Sequence, residues 1–413
     1  MLRVNAFRAL RPPAALAEQV ASVPYDVVNK AEARALAAGN ELSFLHVVRP
    51  DIDLPDDTSP YDDSVYVTAK SNLQGLIEKG ALVQDKAPAI YLYRQEMELL
   101  GQKVTQLGVV ASCHIEDYND GTIKKHEKTR QDKEDDRTRH VLTLRANAGP
   151  VFLLYKDEPD LATLIARDSA GTPEYDFPAA DGVRHTVWSV AEPSAYVGAF
   201  AKVEGAYVAD GHHRSASAAR AGAELRAANP EHTGDEEYNW FLTVLFPASQ
   251  LSILPYHRVV KDLNGLTPES LIEKVKAIGK VQETPEAEPQ SPGNLGMYVG
   301  GKWYQVAINA SLIDSKDPVN SLDYVLLYEH VLRPLLGIEE IRTDKRIDFV
   351  GGIRGTGELE KRVNSGECQV AFAMHATTIQ QLIDVADAGA IMPPKSTWFE
   401  PKLRSGLLVH ILD

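Results

Sequence analysis

Cysteine is nearly absent: Cys113 and Cys368 are the only two in 413 residues, far apart and outside any Cys-x-x-Cys pair. Neither a disulfide framework nor a thiolate zinc centre is expected, and a reducing, cytoplasmic setting is the default. Long apolar runs are missing as well. Arg3, Arg8 and Arg11 near the start are followed by no continuous hydrophobic segment, so no signal peptide, membrane anchor or membrane partner is expected. Positive charge is in deficit, with 43 Lys plus Arg against 58 Asp plus Glu and a net charge of -15. That balance works against sequence-independent binding to a polyanion, so nucleic acid is not an expected partner. No repeat period is visible. The glycine-rich Gly351-Gly352-Ile353-Arg354-Gly355 matches neither a P-loop nor a Rossmann fingerprint.

What remains is an ordinary globular composition, 44% hydrophobic and 24% charged, at a length that suggests two or three domains. Asn29 is placed to cap a helix that Gly39 stops, residues 51–63 read as a surface loop, and a helix follows over 65–79. Strand-like runs at 89–95 and 103–115 predict a hairpin joined by Glu96-Met97-Glu98. Further strands are expected at 150–154, 183–190, 206–209, 239–246 and 251–254, the run at 239–246 apolar enough to be covered on both faces. Residues 283–293 are rich in Pro and Glu and read as a seam or exposed loop. Beyond them come a hairpin at 297–308, a helix at 322–336 and strands at 347–350 and 369–374. The fold class is therefore α/β, mixed α+β, divided as 1–160, 161–262 and 263–413.

The most specific motif is Asp210-Gly211-His212-His213-Arg214, between the apolar run Ala206-Tyr207-Val208-Ala209 and an alanine-rich helix. A strand that meets Asp-Gly and then a helix puts Gly211 at the turn and its neighbours around unpaired helix amides. Those amides, the positive end of the helix dipole and an Arg fork all favour phosphate oxygens. Ala216, Ala219 and Ala223 provide a small face for close approach to a sheet. The plainer alternative makes Asp210 an N-cap and the histidines partners for buried polar groups.

Three other segments carry chemistry. His126-Glu127-Lys128-Thr129-Arg130 runs on through Lys133, Asp135, Asp136 and Arg137 to His140, without the His-x-x-x-His spacing of a zincin. Arg130, Lys133 and Arg137 suit phosphates, while Glu127 and Asp136 could bind magnesium or take a hydroxyl proton, unless the run is a solvated helix face. Pro24-Tyr25-Asp26 presents Asp26 on an ordered turn, with turn chemistry as its simpler role. In Met392-Pro393-Pro394-Lys395-Ser396-Thr397-Trp398-Phe399-Glu400-Pro401-Lys402, two prolines stiffen a loop offering Lys395 to a phosphate or its rings to a stacked base. Docking of those rings into the core is the alternative.

Taken in this order, Pro24-Tyr25-Asp26, His126-Glu127-x-Thr129-Arg130, Asp210-Gly211-His212-His213-Arg214 and Met392-Pro393-Pro394-Lys395-Ser396-Thr397 resemble the bacterial family catalogued as domain of unknown function 1015. The resemblance spans nearly the whole chain. The Asp-Gly-His-His-Arg motif is also distantly similar to the signature of free serine kinases that share a fold with sulfiredoxin and the nucleotide-binding domain of the chromosome-partition protein B. This second resemblance implies a central module of that kind within a larger mixed-sheet protein. It gives Asp210 a role at the substrate hydroxyl or at magnesium, and Gly211, His212, His213 and Arg214 a role at phosphates. Asp26 and Glu127 both remain candidates for the base that a separate N-terminal Glu supplies in those kinases. Residue 212 is His where sulfiredoxin has its Cys, so sulfinic acid reduction is disfavoured.

The expected function is a phosphotransferase using ATP or ADP and Mg²⁺ on a small hydroxylated metabolite, free L-serine being the first candidate. Asp210, Glu127 and Asp26 are the candidate catalytic groups. Gly211 to Arg214, Arg130, Lys133, Arg137 and Lys395 are the candidate phosphate contacts, and Asp210 and Asp136 the candidate metal ligands. A non-catalytic nucleotide sensor and a metal-dependent hydrolase built on His126, Glu127, His212 and His213 are the alternatives. A homodimer is compatible with each of them.

Overall fold

The computed structural model describes residues 1–413 and divides them into two units, Met1–Leu251 with Pro401–Asp413, and Ser252–Glu400. The first unit is built on a nine-stranded mixed sheet. Its strands are β1 (Val4–Asn5), β2 (Tyr91–Leu99), β3 (Gln102–His114), β4 (Ile123–Lys124), β5 (Val151–Tyr155), β6 (Tyr175–Pro178), β7 (Arg184–Ser189), β8 (Ala206–Asp210) and β9 (Trp240–Pro247). They lie in the order β4-β8-β5-β9-β3-β2-β7-β6, with β1 continuing along the edge of β3 beyond β2. The β8–β4 and β9–β5 pairs are parallel and the others antiparallel, so the mixed α/β class holds. Strand β5 is buried along its whole length and β9 everywhere but at Trp240, as the unbroken apolar run predicts.

Helices α1 (Lys30–Ala37), α2 (Asp63–Glu78), α3 (Gln131–Leu144) and α4 (His212–Ala228) belong to this unit. Asn29 caps α1 in a full capping box with Glu32, as its residue type predicts. The hairpin turn is displaced from its expected place. Glu96, Met97 and Glu98 stay in β2, paired with Thr105, Val104 and Lys103, and the chain reverses at Leu100-Gly101. Both turn residues have positive φ, 51° and 77°, which a tight two-residue hairpin demands and Gly101 readily supplies.

The small face of α4 is also shifted. Ala216 and Ala219 are buried as expected, but Ala223 faces solvent and Gly222 takes the inner position. A Cβ at Gly222 would stand 2.4 Å from the Tyr238 carbonyl oxygen and 2.7 Å from Ile115 Cδ1. Gly222→Ala is therefore expected to cost about 1–3 kcal/mol despite the better helix propensity of Ala. A melting temperature equal to that of the parent would disprove this close packing.

The second unit carries a six-stranded antiparallel sheet of β10 (Tyr256–Val260), β11 (Gly279–Glu283), β12 (Asn294–Val299), β13 (Lys302–Ile308), β14 (Ile347–Gly351) and β15 (Val370–Met374), in the order β11-β13-β12-β15-β10-β14. Leu295, Met297, Val370 and Phe372 lie in its core.

The observed units differ from the expected division at three places. The division at 160/161 falls inside the first unit, because β5 before it pairs with β8 and β9 after it. Residues 283–293 are a loop within the second unit rather than a seam, since β11 before them and β12 after them both pair with β13. The division expected at 262/263 falls after the observed change of unit at Leu251/Ser252, because β10 already belongs to the second sheet. Residues 401–413 return to the first unit, where Val409–Ile411 pairs with Ala9–Arg11 and with Ala146–Asn147.

Candidate functional site

Strand β8 brings Asp210 to its end through a shift of register, with Val208 opposite Leu153 but Asp210 opposite Phe152. Such a bulge re-aims a side chain at the end of a strand. Gly211 follows at φ 97° and opens α4, and no side chain caps the helix. The first amides of that helix therefore face outward from the turn without a side-chain acceptor.

Arg214 folds back over the turn, so a Cβ at Gly211 would come within 3.1 Å of its Nε. The guanidinium is 9% exposed and bonds Asp210 at 3.2 Å and the Pro150 carbonyl, with Asp26 at 3.9 Å. Its terminal nitrogens serve these acceptors, and the residue fixes Asp26 and Asp210 relative to each other. Lys402 places Nζ 3.6 Å from Asp210. Burial alone would raise the Asp210 carboxyl, but the Lys402 and Arg214 charges outweigh it and hold it well below the usual carboxylate range.

Helices α3 and α4 run side by side in the same direction. The Arg130 amide donates to His213 Nε2 at 3.0 Å, Ser217 Oγ donates to the Glu134 carbonyl at 3.2 Å, and Arg220 pairs with Asp135 further along. The positive ends of both helices consequently face the same side of the unit. Thr129 bonds Glu134 at 2.9 Å across the start of α3.

The histidines bring no positive charge. The rings of His126 and His212 pack edge to face with centroids 4.6 Å apart. Burial pushes His126 down to about 4 and His212 well below its ordinary value, the latter lowered further by His126. His213 is also lowered by burial. Burial thus favours the neutral ring at both positions, and their backbone amides open α4. His212 Nε2 is buried without a hydrogen-bond partner, and His212 Nδ1 lies 3.8 Å from Glu127, which is 46% exposed.

Asp136 and Arg137 are likewise committed elsewhere. Asp136 accepts from Tyr66 at 2.8 Å and from Arg137 at 2.9 Å, while the Arg137 guanidinium lies 4.3 Å from the centre of the Tyr25 ring. Their polar atoms brace the Pro24-Tyr25-Asp26 loop and α2. Arg49 secures the same loop through the Tyr25 and Val28 carbonyls. Arg130 is exposed and paired with Asp132 at 2.8 Å, and Lys133 lies over the Tyr61 ring. Lys395 belongs to the second unit, where its ammonium is 5.3 Å from the centre of the Tyr256 ring and its carbonyl accepts from Arg258.

No group of three or more His, Cys, Asp or Glu is arranged to hold a metal ion. His213 Nε2 already accepts the Arg130 amide, which takes it out of the His126-Glu127-His212-His213 constellation. A small cleft of about 40 Å³ adjoins the motif and is lined by Tyr25, Arg137, His140, Arg214, Ser217 and Phe241 among others. Sequence reasoning passed over Lys402. Nothing local marks it, because only the return of residues 401–413 to the first sheet brings it to Asp210.

These features define a mixed α/β protein in which two carboxylates and two cations stand at an uncapped helix mouth. The chain belongs to the family described as protein of unknown function, DUF1015, whose family model matches residues 4–325. No curated protein matches it. Among solved structures, a conserved hypothetical protein from Pyrococcus furiosus aligns at 16% identity and TM-score 0.34, over 74% of this chain and 95% of that one. A free serine kinase in complex with AMP aligns at 14% identity and TM-score 0.35, over 73% and 91%. SbnI with a C-terminal truncation from Staphylococcus aureus aligns at 13% identity and TM-score 0.38, over 73% and 87%. No helix is long and apolar enough to cross a membrane.

Proposed function

We propose that this protein binds a nucleoside phosphate at the mouth of α4 and transfers a phosphoryl group to a small hydroxylated metabolite, with free L-serine as the first acceptor to test. The observation that carries this reading is the meeting of Asp26, Asp210, Arg214 and Lys402 at the uncapped start of α4, where α3 also points its positive end. Phosphoryl transfer asks a protein mainly for positioning and charge stabilisation, which amides, cations and fixed carboxylates provide.

In the reaction, the acceptor hydroxyl oxygen bonds to the terminal phosphorus while the bond from that phosphorus to the bridging oxygen breaks. The electron pair of that bond leaves with the nucleotide product, and the hydroxyl proton passes to a carboxylate. Asp26, 36% exposed beside Arg214, is assigned as the proton acceptor, with Glu127 as the other candidate. Asp210, ionised and held by two cations, orients the acceptor. Asp26 and Asp210 are also the hard oxygen donors that would hold Mg²⁺, an ion that takes one or two carboxylates together with substrate phosphates and neutralises their charge. The backbone amides of His212, His213 and Arg214 meet phosphate oxygens, and Arg130 and Lys133 add positive charge at the rim.

Incubation with ATP or ADP, Mg²⁺ and L-serine, followed by phosphorus NMR, is expected to show phosphoserine appearing as nucleotide is consumed. Saturable nucleotide binding with no product for any hydroxylated metabolite would replace the kinase with a sensor. Absence of binding would end both.

A further inference from the structure

We propose that the second unit carries a phosphate-binding site of its own, built on Arg258 and Lys395, where three segments distant in sequence meet at one end of its sheet. The proposal stands apart from the nucleotide reading of α4. Strand β10 begins at Tyr256, opposite Gly351 at the end of β14, and the Gly352 amide donates to the Pro255 carbonyl at 2.8 Å. Residues 393–398 reach the same end, where Trp398 pairs with Leu254 and its ring lies 4.9 Å from that of Tyr256. A Cβ at Gly351 would stand 2.7 Å from the Trp398 ring, so glycine is what lets the third segment close on the other two.

Arg258 lies between them, 1% exposed. Its guanidinium is flanked by the Tyr324 and Phe349 rings, 4.3 and 5.0 Å from their centres. It donates to the Tyr256 carbonyl and, at 3.0 Å, to the Lys395 carbonyl. No carboxylate balances its charge: burial pushes the guanidinium down to about 10, and only the Tyr324 and Tyr256 hydroxyls act the other way. Asp323, next to Tyr324 in the chain, is engaged by the Gly293 amide at 2.7 Å. A buried cation without an anion is costly, and two rings with two neutral carbonyls return only part of what desolvation takes. An arriving oxyanion supplies the rest.

The surroundings have the same sign. Lys395 and Arg354 are both exposed. Lys395 holds left-handed backbone at φ 60°, a conformation that costs energy for a residue with a Cβ. In it the carbonyl meets Arg258 while the ammonium lies 5.3 Å from the centre of the Tyr256 ring. The turn is pinned there, because Ser396 Oγ donates to the Pro393 carbonyl at 2.8 Å and Thr377 Oγ1 to the Ser396 carbonyl at 2.7 Å. Tyr324 donates its hydroxyl to the His375 carbonyl at 3.4 Å, and His375 Nδ1 is buried with no hydrogen-bond partner. A phosphate group, at about -1.5 to -2 near neutral pH, answers such a set better than a singly charged carboxylate.

Hydrogen exchange read by mass spectrometry on the full chain tests the site, with inorganic phosphate as the probe and sodium chloride or acetate at matched ionic strength as controls. Phosphate is expected to slow exchange in 393–398 and to raise the melting temperature of the parent. Lys395→Met, a change at an exposed side chain, is expected to weaken that protection about tenfold in phosphate concentration. Arg258→Met is expected to abolish the response while leaving the phosphate-free melting temperature level or raised, since it removes a buried charge that no carboxylate balances. If Arg258→Met does not fold, Lys395→Met still decides. Protection confined to 206–214, equal protection by chloride or acetate, or parent-like protection in Lys395→Met overturns the second-unit site. Each of these outcomes leaves the reading of α4 intact.

Discussion

Asp210→Asn is expected to lower phosphoryl transfer by about a hundredfold, the order lost when a reacting group is misplaced by about an ångström, while nucleotide affinity stays level or tightens. The two halves of this outcome have separate causes. Asparagine keeps the shape that sits 3.2 Å from Arg214, so the turn and the helix mouth survive. It removes the negative charge that orients the acceptor hydroxyl, and an anionic ligand at the same mouth then meets less repulsion. A variant that lost binding and turnover together would show Asp210 to be a structural brace for Arg214. One with full turnover would take it out of the chemistry. Steady-state rates with calorimetric ADP affinity on the same sample decide among the three.

What the sequence makes legible depends on where the deciding contacts lie. The strand, the Asp-Gly turn and the helix at 206–228 were legible because each signal is local: an apolar run, a glycine at φ 97° and an alanine-rich stretch. The pairing of Asp26 with the Arg214 of a distant motif was not, although both residues were singled out, since nothing in sequence spacing joins residues 26 and 214. The same holds for Asp136. Among neighbouring charges it resembled a metal ligand or a solvated face, and only its burial against Tyr66 and Arg137 shows its use. The histidines failed for a related reason. Adjacent His-His-Arg at a helix start suggests positive charge, but charge depends on burial, which is set by tertiary packing. Lys402 was obscured by chain order, because the segment that carries it follows a whole second unit.

Acidification from neutral pH to about pH 4.5 is expected to open the first unit before the second, because the first holds several buried neutral histidines while in the second a single one is offset by a raised carboxyl. In the first unit, burial pushes His126 and His140 down to about 4 and His185 to about 3, and His212 lower than its ordinary value. In the unfolded chain the same rings take a proton near pH 6.5. Below that value the unfolded state therefore binds more protons than the folded one. The stability these rings provide is complete above about pH 6.5 and is lost as pH falls toward the folded values, at up to about 1.4 kcal/mol per pH unit for each ring. In the second unit His257 has the same sign, pushed down to about 4 by burial. Asp323 has the opposite one: burial raises its carboxyl to about 6, so between pH 6 and the unfolded carboxylate range the folded state holds the extra proton and gains stability on acidification. Hydrogen exchange followed by mass spectrometry along a pH series reads the two units separately. His140 offers a clean single-site check, since its Nε2 donates to the Val47 carbonyl at 3.0 Å and a glutamine amide can replace that donor. His140→Gln is expected to flatten the stability slope of the first unit by about one proton's worth, roughly 1.4 kcal/mol per pH unit between pH 6 and 4.5. A slope identical to the parent's, or exchange that opens the second unit first, would contradict the burial of these rings as neutral groups.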